Sequence, residues 1–205
     1  MRDAARTYAP ACKGSPAERF LDARGLDART AKLYGLGYVA EPLPGHERFR
    51  GHLAIPYLRP PKGGGPVVSI RFRCIEAHSH KGHGKYQTMT GDRPRLYNTE
   101  VLTWPRNEIA VTEGELDAIA ATSAGVPAVG VPGAQAWRPH FAETLRGYDA
   151  VFVLADGDEP GLKFAETVAK SLGSVARVIE MPPGDDVNEL VYRDGPDALT
   201  GRVYG

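Results

Sequence analysis

From residue 107 to the C-terminus, short uninterrupted apolar runs alternate with stretches of helical period, and no other feature of the sequence restricts the fold as much. EIAVT reads as a short buried strand, and ELDAIAATSAG as a helix stopped by Gly125. PAVGV is a second strand, followed by a helix from about Arg138 to Arg146 with Pro139 near its start. DAVFVLAD is apolar on both faces, and EPGLKFAETVAKSLG is amphipathic with Leu162, Ala165, Val168, Ala169 and Leu172 inward. VARVIEM is a further strand and DVNELVYRDG a last short helix. Strands apolar on both faces must be covered on both faces. Their alternation with helices therefore predicts an α/β domain over 105–205, with a mainly parallel sheet flanked by helices. No internal repeat is evident.

The upstream half has a different pattern. Residues 1–14 read as a flexible tail. In SPAERFLDARGLDARTAKLYGLGYV, Ser15 is a candidate N-cap, Pro16 stands at the first helical position, and Glu18 completes a capping box. Phe20 and Leu21 give that helix an apolar face, and Gly25 ends it. Asp27 caps a second short helix carrying Ala31, Leu33 and Tyr34. HLAIPYL and PVVSIRFRCIEA are strand-like, separated by the turn-forming RPPKGGG. In the second of these strands Val68, Ile70, Phe72 and Cys74 share one face, so Arg71 and Arg73 project together from the other. Residues 15–104 are thus expected to form a smaller α+β subdomain.

The formal net charge of the 205 residues is zero, but the charges are segregated. Residues 1–104 hold 17 Lys and Arg against 9 acids, and residues 105–205 hold 8 against 16. A basic half suits phosphates and an acidic half suits cations. No apolar run approaches the ~20 residues of a membrane span, and the N-terminus lacks a secretory apolar core. Two distant cysteines, Cys12 and Cys74, argue against a disulfide framework and for a reducing, cytoplasmic setting. Cys74 with His78, His80 and His83 imitates a zinc site. The strand period turns Cys74 toward the apolar face, so no zinc is expected.

The acids have positions that matter. Glu113 follows the first strand of the α/β half, with Asp117 one helical turn later. Asp156 and Asp158 follow VFVLA, and Asp185 and Asp186 follow the last strand. Functional residues of parallel sheets gather beyond the carboxyl ends of the strands, so three separate acidic segments should converge. Helix capping would account for Asp158 and Asp186 but not for Glu113 and Asp156. Carboxylates at that density repel one another and need a cation. An all-oxygen set suits Mg²⁺ or Mn²⁺.

VTEGELDAIA, VLADGDEPG and PPGDDVNELV together resemble the Toprim fold of bacterial-type primases, topoisomerases and some nucleases. The spacing of Glu113, Asp117, Asp156 and Asp158 is similar to the primase version, and Asp186 matches its later acidic position. Asn188 stands where some members have a further aspartate. Upstream, ERFLDARGLDARTAKLYGLGYV, FRGHLAIPYL, VVSIRFRCIE and GKYQTMTGDRPRLYN resemble, in order, the basic N-terminal part of the DnaG-type RNA polymerase core. The resemblance covers residues from about 15 to 193.

It implies a DNA primase core that synthesises RNA primers on a single-stranded DNA template from ribonucleoside triphosphates. Glu113, Asp156 and Asp158 would be catalytic. Mg²⁺ (or Mn²⁺) would lie on Glu113, Asp117, Asp156, Asp158 and Asp186. Arg50, Arg71, Arg73, Lys85, Tyr86 and Arg95 would face template and nucleotide. The sequence contains no zinc ribbon, P-loop or helicase domain, so a separate zinc-binding or helicase subunit is the expected partner. Two other readings use the same residues: a Toprim nuclease with water as nucleophile, and a non-catalytic nucleic-acid-binding replication subunit. A topoisomerase would need far more chain. The Ala, Gly and Arg content and the compact core suggest a phage or mobile element of GC-rich background, in a bacterial or phage-infected cell.

Overall fold

The structure, a computed structural model, describes residues 1–61, 65–76 and 84–205. The chain divides into two compact units, Met1–Arg93 and Pro94–Gly205.

The first unit opens with α1 (Arg2–Tyr8), a 3-10 turn (Pro10–Cys12), α2 (Pro16–Asp22) and α3 (Ala28–Tyr34). The residues expected to be a flexible tail are therefore ordered and packed. Ala4 and Tyr8, one helical turn apart, face inward, and Tyr8 is only 1% exposed. The Tyr8 hydroxyl pairs with Nδ1 of His46 at 2.9 Å and accepts the backbone N–H of Leu43 at 2.9 Å. These partners are more than 30 residues away, so a local pattern could not reveal them. Ser15 caps α2 as expected, accepting from the N–H groups of Ala17 and Glu18 at 3.1 and 3.4 Å. Glu18 reaches past it to the N–H of Gly14 at 2.6 Å, so the box closes one residue early. Ser15→Ala should cost about 1 kcal/mol of stability, read as a lower urea midpoint with unchanged slope.

A four-stranded antiparallel sheet follows, in the order β1 (Gly37–Tyr38), β2 (Leu53–Leu58), β3 (Val67–Arg73), β4 (Tyr86–Gln87). Ile70 and Phe72 lie on the buried face of β3, with Phe72 stacked on Phe49 at 3.9 Å between ring centroids. The opposite face departs from a simple solvent-facing row: Ser69 and Arg73 are also buried, and Arg71 is half-buried. Helix α2 covers this face through Phe20. Cys74 is buried beside β3, whereas His78, His80 and His83 of the zinc-like cluster lie outside the described residues.

The second unit begins earlier than the expected 105. Tyr97 exchanges backbone hydrogen bonds with Gly130, N to O at 2.8 Å and O to N at 3.3 Å. Asn98, in the left-handed conformation that asparagine tolerates, donates from Nδ2 to Thr122 Oγ1 and the Ala128 carbonyl. The sheet contains β5 (Glu108–Thr112), β6 (Ala128–Gly130), β7 (Ala150–Ala155) and β8 (Ala176–Glu180). It is wholly parallel, in the order β6-β5-β7-β8. The helices are α4 (Glu115–Ser123), α5 (Pro139–Leu145), α6 (Glu159–Leu172), α7 (Val187–Asp194) and α8 (Pro196–Tyr204). The sequence pattern did not anticipate α8, which buries Leu199 and Val203. On α6 the inward row is Phe164, Ala165, Val168 and Leu172, while Leu162 is exposed. Gly161, not Leu162, faces inward at this end of the helix, against the backbone of Asp156. Among the described residues no helix is long and apolar enough to cross a membrane.

Candidate functional site

The strand order creates the site. The chain leaves β5 for β6 on one side and returns to place β7 on the other, so β5 and β7 are parallel neighbours. Such a reversal opens a crevice at the carboxyl ends of the two strands. Glu113 stands just beyond β5 and Asp156 just beyond β7. Each has a buried oxygen, Glu113 Oε2 and Asp156 Oδ1, without a hydrogen-bond partner among the described residues.

Burial, and after it the charges of Asp117, Glu113, Asp186 and Asp158, together push the Asp156 carboxyl from an ordinary 3.8 up to about 8. Four other carboxylates are therefore near enough to act on it, and the three acidic segments converge. Glu113 is also raised, first by burial and then by Asp158, against the lowering effect of the Ala134 N–H. Two carboxylates with a buried, unpartnered oxygen each, in an acidic crevice, are costly without a counter-charge.

The other acids are held in place. Asp158 caps α6, accepting the N–H of Gly161 at 2.8 Å. Asp186 caps α7 in a full capping box with Glu189. Asp117 projects from the first turn of α4 and accepts the N–H of Asn188 at 3.2 Å. This contact draws α7 to α4. Asn188 is buried, so the position where an aspartate was anticipated adds no charge. Asp185 turns away, in a bidentate pair with Arg193 at 2.7 and 2.8 Å that lowers its carboxyl below the usual range.

A backbone clasp joins the second and third acidic segments. Gly157 N–H donates to the Asp185 carbonyl at 2.8 Å, and Gly184 N–H donates to the Gly157 carbonyl at 2.8 Å. The contact leaves no room for a side chain on Gly157. Sequence reasoning also passed over Glu115, which is fully buried at the start of α4. The spacing Glu113-Gly114-Glu115 was the available signal, but position alone cannot separate a buried glutamate from a solvated one.

Among the described residues, no group of three or more His, Cys, Asp or Glu side chains is gathered into a ready-made metal cage. Mg²⁺ does not require one, because it usually takes one or two carboxylates and fills its shell with water and phosphate. The unpartnered oxygens of Glu113 and Asp156 are hard donors of the right kind, so the residues fit such an ion.

The basic residues do not form one uniform surface. Arg50 is exposed but engaged, at 3.0 Å from Glu41 and donating to the Ala40 carbonyl at 2.8 Å. Lys85 is exposed. Arg71 and Tyr86 are half-buried and stacked, and Arg73 is buried behind them. Arg95 belongs to the second unit and the other five to the first.

Residues 110–191 match the family model described as Toprim-like. The chain is 54% identical over 156 residues to the Gene 57 protein of Mycobacterium phage D29, covering 76% of this chain and 99% of that protein. It is 26% identical over 247 aligned positions to the DNA primase of Pseudomonas aeruginosa, covering 98% of this chain but 36% of the primase. The chain thus spans about a third of that enzyme. Among solved structures, the RNA polymerase domain of Mycobacterium tuberculosis primase DnaG superposes with a TM-score of 0.78 at 21% identity, covering 98% of this chain and 80% of that one. A DnaG primase catalytic domain bound to ssDNA superposes with a TM-score of 0.78 at 19% identity, covering 99% and 76%.

Proposed function

Since the chain belongs to the family of the phage D29 Gene 57 protein and of Toprim-bearing DnaG-type primase cores, we propose that it synthesises short RNA primers on single-stranded DNA. The observation that carries this reading is the pair of buried, unpartnered carboxylate oxygens on neighbouring strand ends, with three more acids around them. An arrangement of that kind stores negative charge for a cation-borne polyphosphate.

Glu113 and Asp156 would hold the metal, Mg²⁺ or Mn²⁺, with Asp158 next in line and Asp117 and Asp186 shaping the field. Bound there, the ion would supply charge neutralisation for a nucleotide's phosphates and for the oxygens that attack and leave. The protein's own contribution is positional. Capping fixes Asp158 and Asp186 on helix N-termini, and the Gly157 clasp keeps their segments together. Burial keeps the crevice partly dry, which strengthens each charge interaction. In the first unit, Lys85 and Arg71 are the cations best placed for a strand's phosphates, with Tyr86 beside them. Arg73 is too deeply buried for direct phosphate contact and acts from behind.

The test is incubation with single-stranded DNA, labelled ribonucleotides and Mg²⁺ or Mn²⁺. Short RNA products from the wild type and none from Asp156→Ala are expected. Shortened template would indicate a nuclease, and strand binding with neither product would indicate a replication subunit without catalysis. Either result sinks the primase reading.

A further inference from the structure

We propose that a groove in the first unit, between α1, the end of α3 and the ends of β2 and β3, docks a short acidic segment of a partner protein. An apolar residue of that segment fills the floor, and its carboxylates meet Arg2, Arg6 and Lys32 on the rim. None of these residues was assigned above to primer synthesis, so the inference stands apart from that reading.

Short-range rules build the groove. On α1 the residues Arg2, Ala5, Arg6 and Ala9 recur at helical spacing on one face, while Ala4 and Tyr8 face inward. Lys32 and Leu33 come from the last turn of α3, and Leu58 and Val67 are cross-strand partners at the ends of β2 and β3. The cavity these residues line has a volume of about 360 Å³, at the small end of the range for ligand clefts. Ala5, Ala9, Leu58 and Val67 make its floor and are only half-buried. Leu33 beside them is 55% exposed.

A solvated face explains this arrangement poorly. Arg2 and Arg6 are four residues apart and repel each other, and Arg2 puts a positive charge in the N-terminal turn, where the helix dipole opposes it. No carboxylate lines the groove, and Asp3, the acid of α1, lies off this face. The side chains of Arg2, Arg6 and Lys32 have no hydrogen bond or ion pair among the described residues. Elsewhere, exposed cations such as Arg50, Arg146, Lys163 and Arg193 lie within 3.0 Å of a carboxylate. Charge of one sign around an apolar floor selects an occupant that is acidic and apolar at once. Nucleic acid fits the floor badly, because no aromatic side chain lines it and a base has nothing to stack on. A second copy of the chain needs about 1,200–2,000 Å² of matched surface, whereas one extended segment fills a groove of this size.

The test uses the full chain in metal-free buffer and a fluorescein-labelled peptide with a Leu-Phe pair between runs of aspartate, followed by anisotropy. The wild type should bind it with a micromolar Kd. Replacing the Leu-Phe pair by serines should weaken binding about tenfold, and Arg2→Ser with Arg6→Ser should do the same and flatten the salt dependence. Leu33→Ser should weaken it about threefold. All three side chains are exposed, so melting temperatures should stay near the wild-type value, and primer synthesis should be unchanged. No binding by the wild type, equal binding of the serine peptide, or full binding by the double variant overturns the inference. So does labelled oligothymidylate binding that falls as far in the double variant, which would make the groove a nucleic-acid surface. A concentration-dependent dimer lost in the double variant would assign the face to self-association and overturn it too. Groove-dependent peptide binding by a protein that makes no RNA leaves this inference standing and overturns the primase reading alone.

Discussion

Asp156→Asn should abolish the nucleotide incorporation proposed above and, in metal-free buffer at neutral pH, should make the protein more stable. The first expectation follows from position: removing one charge that acts on the reacting phosphates costs about 10²–10³-fold or more. The second follows from electrostatics. The Asp156 carboxyl is lifted from 3.8 to about 8 by burial and by four neighbouring acids. Between those two pH values the folded protein holds a proton that the unfolded chain has released. Stability therefore falls as pH rises through this window, by at most about 1.4 kcal/mol per pH unit, and levels off above it. The sign is opposite to that of a salt-bridged aspartate such as Asp185, whose lowered value stabilises the fold above the unfolded value and is lost in acid. Asparagine cannot ionise, so urea midpoints of the variant should decline less steeply from pH 5 to 8 than those of the wild type, with the raised Glu113 carboxyl left to supply the remaining slope. Mg²⁺ should recover much of the wild-type loss and little of the variant's. Parallel pH profiles for the two proteins would refute the buried acidic crevice.

Gly157→Ala should be the most damaging small change in the second unit. A methyl group at that position would collide with the Pro182 carbonyl oxygen and come within 3.0 Å of the Gly184 nitrogen. Both are backbone atoms of the opposing loop, so no side chain can swing aside. Relief requires opening the clasp, with loss of the Gly157–Asp185 and Gly184–Gly157 hydrogen bonds. Overpacking and two lost bonds together should cost about 3 kcal/mol, a fall in Tm of about 10 °C or more. Because the clasp fixes the Asp186 segment relative to Asp156 and Asp158, activity should fall with it. A Tm within two or three degrees of wild type, about the effect of an ordinary surface change, would show that the clasp is dispensable.

Much of this was legible in the sequence. Strand and helix periods, caps at Ser15, Asp27 and Asp158, and acids after successive strands are all encoded within windows of a few residues. The motif resemblance then gave the family. The exceptions share one cause. Tyr8 is ordered by His46 and Leu43, Asp185 is withdrawn by Arg193, and Arg73 is buried by Phe20. In each case a tertiary contact overrides the local expectation: a charged terminus should fray, an acid after a strand should join the site, an arginine on a strand should face water.

The sequence by itself determined that the acidic C-terminal half would be a parallel sheet with carboxylates at its strand ends, because both properties follow from local patterning. Only the tertiary structure decided that β5 and β7 are neighbours. That adjacency, set by packing and by which side of β5 each crossover takes, turns separate acids into one crevice with Glu113 and Asp156 at its centre.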